Sequence, residues 1–311
     1  MRLNLSRKRM GCLGVKQDPR NYERKFIFGA GKRPVPDWFE APILPKIKNQ
    51  LRTMACTYFS FFGQALPIKV FLMTGEEIII TNEMIFKFWE EGCAQGLGSK
   101  KRGAYVQDPC KFLQKNPQVF KTKGGETITV HLDKYFTLED WEVDEEMYYG
   151  GTVLTGSNSR MGASMKNTSS EPYFIEAKKY PINDGHAHSQ VGKRRQRRLV
   201  NGLWTKVLAY VHPNSWGENW GDIGYMYSGE DVQKPLFDRV GFTLTIALGE
   251  EVIPPPVGFP DINANSFYYE AIIKAVDKGI LEGYPDGTMR PGGPVSRAEL
   301  AVILDRLKLL G

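Results

Sequence analysis

The chain has 311 residues, 41% of them hydrophobic and 24% charged, enough to bury a sizeable core and to form one large domain plus a small one. Its 41 basic against 35 acidic residues leave a formal charge of +6, a mild excess that suits an acidic polymer without demanding one. Cys12, Cys56, Cys93 and Cys110 form no CxxC pair and no metal-finger spacing, so no metal site and no cofactor are expected. No apolar run reaches the roughly 18 residues needed to cross a membrane.

Residues 1–35 are basic and rich in Gly and Pro, and read as a lead segment laid over a domain surface. Their start, "MRLNLSRKRMGCLG", has no apolar stretch after its basic residues, which makes a poor secretory signal and points to synthesis in the cytoplasm. Over 51–73, Leu51, Met54, Ala55, Tyr58, Phe59, Phe62 and Leu66 recur at helical spacing and predict a long buried helix. A second helix is expected over roughly 81–91, capped by Thr81 with Glu83 close behind. From about 125 the texture changes. "ETITVHL", "GGTVLTGS", "WTKVLAYVH", "IGYMYS" and "VGFTLTIAL" are short β-branched or aromatic runs broken by Gly, Asn and Pro. Helices first and strands later predict an α+β domain of two lobes over 36–248. The run "GKRRQRR", 192–198, is expected to form a solvated hairpin tip, the alternative being a contact for nucleic acid or an anionic wall polymer. A Pro-rich linker over 249–258 leads to a small helix–turn–helix domain over 259–311, present in one copy.

Cys56 stands in an apolar run with Gln50 just ahead of it. It is either a buried core thiol or a nucleophile. A nucleophilic thiol needs an imidazole to take its proton, a helix N-terminus that favours the thiolate, and donors facing the developing oxyanion. Gln50 and the Cys56 backbone N–H could supply those donors. Among His131, His186, His188 and His212, the ring with room around it is His186 in "DGHAHSQVG". Asn214 of "HPNSWGENWGDIGYMY" could accept from the imidazole and orient it, and Trp216 could shield that bond.

With these residues the chain resembles a papain-like cysteine peptidase over roughly 15–246. The motif Gln50…Cys56…Phe59-Ser60, the "GHA…VG" histidine strand and "NSWGENWGDIGY" carry the likeness. "PDWFEAPILPKIKNQ" resembles the start of the mature family enzyme, and "GGTVLTGS" the strand before the histidine. The resemblance implies a two-lobed fold and hydrolysis of peptide bonds through a thioester. Cys56 would be the nucleophile, His186 the general base and then acid, Asn214 the orienter and Gln50 an oxyanion donor. Trp216 and Gly96 would shape the shield and the substrate cleft. Departures are Thr57 after the cysteine, Met54-Ala55 before it, and Gln95 in place of one cleft glycine. Thr53 stands where the family places the disulfide partner of Cys93, so that bridge cannot form and a reducing compartment is suggested. His131, His188 and His212 are expected to be structural or exposed.

The last segment carries "FPD", "GYPDGT", "RP" and "SRAE". Ala271, Ile272, Ala275, Val276 and Ile280 mark a first helix closed by Gly279. Asp286 and Gly287 sit in a tight turn, and Ser296 with Glu299 forms a capping box for a second helix. These residues resemble an S-layer homology domain. The resemblance implies binding of an anionic secondary cell-wall polysaccharide, with Asp261, Arg290 and Arg297 as contacts and Phe267 where the family usually has Trp. Such domains commonly act in threes, so a homotrimer or multicopy assembly is expected, and nucleic acid is not expected as a partner. The two resemblances together predict a wall-tethered thiol peptidase acting on peptides or proteins at a bacterial surface or on a phage particle. The alternative is a non-catalytic papain-fold surface or virion component that uses the same domain for attachment.

Overall fold

A computed structural model of the chain describes residues 22–23, 32–157, 172–175, 185–232, 237–249, 259, 261–262, 268–284, 288–307 and 309. The chain divides into two units, Met1–Gly249 and Glu250–Gly311. Most of the lead segment, nearly all of the Pro-rich linker, Phe267, Asp286 and Gly287 lie outside the described residues.

In the first unit, strands β1 (Tyr22–Glu23) and β2 (Phe39–Glu40) precede a helical run. That run consists of α1 (Cys56–Ser60), a π-helical stretch (Phe61–Ala65) and α2 (Leu66–Thr74). It begins at Cys56 and not at Leu51 as the apolar spacing predicted: Leu51 has φ +56°, which ends helical continuity, and its side chain is exposed. The consequence is that Cys56 stands in the first turn. α3 (Asn82–Ala94) starts where expected, with the Thr81 hydroxyl accepting from Met84 N. α4 (Asp108–Lys115) follows, and α5 (Val143–Gly150) comes after strands β3 (Gln118–Lys121) and β4 (Thr127–Thr137). Tyr58, Phe61, Phe62, Phe88 and Phe112 fill the space between these helices and the sheet, Tyr58 stacked on Phe62 and the other pairs edge-on or tilted.

The remaining strands are β5 (Val153–Ser157), β6 (His186–Gln190), β7 (Gly192–Val200), β8 (Leu203–Pro213), β9 (Tyr225–Ser228) and β10 (Phe237–Leu248). They build a six-stranded sheet in the order β1-β4-β10-β5-β6, with β3 also on β4, and a four-stranded sheet in the order β2-β7-β8-β9. The chain passes from the first sheet to the second at Val191–Gly192. Gly192 has φ +152°, and a Cβ there would lie 2.4 Å from the Phe39 carbonyl oxygen, so this corner requires glycine.

The second unit holds α6 (Tyr269–Asp277) and α7 (Arg297–Arg306) around a small core of Ile262, Tyr269 and Met289. Gly279 takes φ +66° after α6, and Ser296 and Glu299 close the capping box reciprocally at 3.1 and 2.7 Å.

Candidate active site and sugar-binding face

The central helical run is fastened to the histidine strand by polar contacts. The Ser189 hydroxyl donates to the Ser60 carbonyl at 3.1 Å, and Ser189 N donates to Gln64 Oε1 at 3.2 Å. These bonds lock β6 onto α1 and the π-helical stretch, and Cys56 packs in the same buried cluster as Ala187 of β6. His186 is the first residue of β6. Its Nε2 lies 2.8 Å from Asn214 Oδ1, and the Trp216 ring covers the imidazole at 4.8 Å between centroids. Trp216 is backed in turn by Trp220, edge-on at 4.9 Å.

Asn214 follows the last residue of β8. Its backbone N–H donates to Gly224 O, and its Oδ1 also accepts from Ser215 N at 2.7 Å. Lys48–Gln50 runs alongside Ser215–Gly217: Gln50 N donates to Ser215 O, Gly217 N donates to Lys48 O, and Asn49 bridges Trp216. The Ser215 hydroxyl donates to Gln50 Oε1, and Gln50 Nε2 donates to Thr53 O at 2.9 Å. One continuous set of bonds therefore joins Gln50, Ser215, Asn214 and His186, with Gln50 more than a hundred residues ahead of the other three. Gln50, Cys56, His186 and Asn214 are all fully buried.

Gly96 is exposed in the turn after α3, with φ +75° and open space where a Cβ would stand. Beside it Gln95 pairs with Asn116 at 3.3 Å. Cys56, Cys93 and Cys110 form no disulfide, as the Thr53 position predicts for Cys93. Burial pushes the Cys93 thiol up to about 11 and the Cys110 thiol well above the usual range.

A second histidine feature was not anticipated from the sequence. His188 and His212 are fully buried, their Nδ1 atoms 3.1 Å apart, with Ser228 Oγ 2.7 Å from His212 Nε2 and Ser157 Oγ 3.3 Å from His188 Nε2. Burial drives both imidazole pKa values down, that of His212 to about 3; for His188, His212 and His186 add to the effect. The expectation that these rings are structural fits their burial in a closed hydrogen-bonded chain. His131 of β4 is half-buried and its Nε2 lies 3.0 Å from Gln114 O.

In the second unit both Asp261 oxygens accept backbone N–H bonds, from Met289 at 2.9 Å and from Arg290 at 2.7 Å. Asp261 thus clasps the turn around Arg290, which sits at φ +51°, and a purely ligand-binding role for it does not fit this geometry. The Arg290 guanidinium lies over the Tyr284 ring at 4.2 Å, and the Tyr284 hydroxyl donates to Glu299 Oε1 at 2.6 Å. That hydroxyl, with Ser296, holds the Glu299 carboxyl down at about 2. A cavity of about 600 Å³ is lined by Tyr268, Glu282, Tyr284, Arg290, Glu299, Arg306 and mostly apolar neighbours. Arg290 lines it; Asp261 and Arg297 do not. Tyr284 was overlooked in the sequence although it stands in the "GYPDGT" motif.

This geometry defines a papain-like cysteine protease fold. Solved structures similar to the chain include procathepsin B S9 from Trypanosoma congolense, with 12% identity, 78% of this chain and 89% of that chain covered, and a TM-score of 0.54. Xylellain, a cysteine protease from Xylella fastidiosa, matches with 16% identity, 76% and 96% coverage, and a TM-score of 0.53. The digestive procathepsin L 3 of Tenebrio molitor larval midgut matches with 13% identity, 77% and 77% coverage, and a TM-score of 0.52. More particularly, the fold is joined to an S-layer homology domain, whose family model matches residues 258–301.

Proposed function

We propose that the chain is a thiol peptidase held at a cell surface by its S-layer homology domain. The observation that carries this reading is the Asn214–His186 bond, roofed by Trp216, on a strand packed against the helical run that opens at Cys56. Cys56 Sγ attacks the scissile carbonyl carbon as its proton passes to His186 Nδ1, while Asn214 steadies the ring through Nε2. The second N–H of Gln50 Nε2 and the Cys56 backbone N–H receive the oxyanion. The C–N bond then breaks, the amine leaves with the proton from His186, and a thioester remains. Water, deprotonated by His186, then attacks the thioester carbonyl carbon; the C–S bond breaks, the carboxylic acid leaves, and His186 returns the proton to Cys56 Sγ. The first-turn position of Cys56 favours the thiolate through the N–H groups of the helix. In the second unit, Arg290 on Tyr284 offers a planar cation beside an aromatic ring to an acidic wall sugar, and Arg297 is a further cation on the exposed start of α7. The phage setting draws no support from relatives that are proteases of a trypanosome, an insect and a bacterium.

The test is cleavage of a fluorogenic peptide library by the full chain. Cys56→Ala and His186→Ala should each remove activity as members of one unit, and Asn214→Ala should reduce it less. Cleavage that persists in Cys56→Ala refutes the assignment. A fold that cleaves nothing yet binds wall material would favour the attachment protein.

A further inference from the structure

The basic run does not form a hairpin tip. It is the strand β7, and the turn lies beyond it at Asn201–Gly202, with φ +51° and +81°. β2 pairs with β7 only at Gly192–Lys193, and β9 pairs with β8 only from Tyr210 onward. Between them, residues 194–209 extend past the sheet as a two-stranded ribbon, a form marginally stable in water on its own. At its root Lys193 is neutralised by Asp144 and Arg194 by Glu40, and near its end Arg198, beside Leu199, is paired with Asp231 and lies over the Phe174 ring at 5.1 Å.

The outer part has a definite order along its length. At the end, Leu199 faces Trp204 on one side of the ribbon and Val200 faces Leu203 on the other; all four are exposed, Leu203 by 74%. One step back, about 7 Å along the strand, Arg197 stands opposite Lys206, and Arg195 follows at the next step. None of these three cations has an acidic partner among the described residues, and Arg197 lies over the Trp204 ring at 5.0 Å.

We propose that this ribbon docks on an anionic lipid bilayer. The end is apolar on both faces, so it needs an apolar medium on both sides. A nucleic acid or a wall polysaccharide would cover one face and leave the other pair in water. Insertion of the end by about 5–10 Å, the depth typical of interfacial segments, sets Trp204 at the membrane–water boundary and Arg197 and Lys206 among the headgroups. The charge excess of the band matches the negative leaflet surface.

The experiment is flotation of the full chain with phosphatidylcholine vesicles, with and without phosphatidylglycerol. Binding is expected only to the anionic vesicles, with loss at high salt. Arg195→Glu with Arg197→Glu should weaken it by about tenfold or more, and so should Leu203→Asp with Trp204→Ser. Bromine-labelled lipid should quench the protein's tryptophan fluorescence in the parent and much less in Trp204→Phe. These substitutions are exposed, so thermal midpoints should stay put. If the charge variant weakens binding while Leu203→Asp with Trp204→Ser binds like the parent, insertion is refuted. Tight binding to duplex DNA or wall polysaccharide without any binding to vesicles refutes the lipid assignment.

Discussion

Mild acid should unfold the first unit through His188 and His212. Burial keeps both rings neutral, and a bond between the facing Nδ1 atoms then needs a hydrogen on one of them and none on the other. With His212 as donor, its Nε2 accepts from Ser228 and His188 Nε2 donates to Ser157; the reverse assignment closes equally well. An added proton makes a buried imidazolium in a site without solvent: on the accepting Nδ1 it sets N–H against N–H, and on the accepting Nε2 it forces the facing serine hydroxyl to turn from donor to acceptor. Unfolded, each ring regains the ordinary value near 6.5, whereas folded His212 titrates near 3. Below 6.5 the unfolded chain therefore binds more protons, and stability falls with pH. A hydrogen bond with the Ser189 backbone opposes this and is outweighed by burial. Two pH units below 6.5 the loss is roughly 3 kcal/mol for His212, and His188, lowered by burial and by the neighbouring rings, adds a loss of the same sign. The assay is urea unfolding of the Cys56→Ala chain, followed by tryptophan fluorescence at about pH 7 and about pH 4.5. Carboxylates protonate in the same range, so His188→Gln with His212→Gln provides the reference. That variant should be weaker at neutral pH and lose much less on acidification. Equal losses in parent and variant would refute the reasoning.

Gly92→Ala puts a Cβ 1.9 Å from the Tyr58 hydroxyl, which donates to Leu97 O, and should lower stability by about 1–3 kcal/mol; an unchanged thermal midpoint contradicts this. Glu146→Ala strands the Lys69 ammonium, buried 3.0 Å from its partner, and should cost about 3–5 kcal/mol, while Lys69→Met with Glu146→Leu restores most of the loss in the same melt. Arg290→Ala and Arg290→Lys should both reduce retention of the full chain on cell-wall sacculi and leave peptide cleavage alone, because only the planar guanidinium stacks on Tyr284. Retention unchanged in both variants removes Arg290 from the binding face.

Local chemistry was legible in the sequence. The Thr81 cap, the Ser296–Glu299 box and the strands of the second half depend on neighbours a few residues away. Gln50, Cys56, His186 and Asn214 were each singled out by the short motif around them, and their grouping was an expectation from the family resemblance. The helix start was misplaced because Leu51 fits an apolar period while its backbone leaves the helical region. The basic run was misplaced because charge does not tell a strand from its turn; the Asn201-Gly202 pair, a strong hairpin signal, lay just beyond it. The Ser60–Ser189–Gln64 fastening, the Ser215–Gln50 bond and the His188–His212 pair join polar residues far apart in the chain. Such pairings leave no period to detect.

The most direct test of the central claim is mass-spectrometric mapping of the chain after reaction with an epoxide inhibitor of papain-like enzymes. Ring opening needs a nucleophilic thiolate, and the account predicts a single adduct at Cys56 that vanishes in His186→Ala, with Cys93 and Cys110 unmodified. An adduct on the more accessible Cys93 alone, under conditions where a small thiol reagent does reach Cys56, would contradict it.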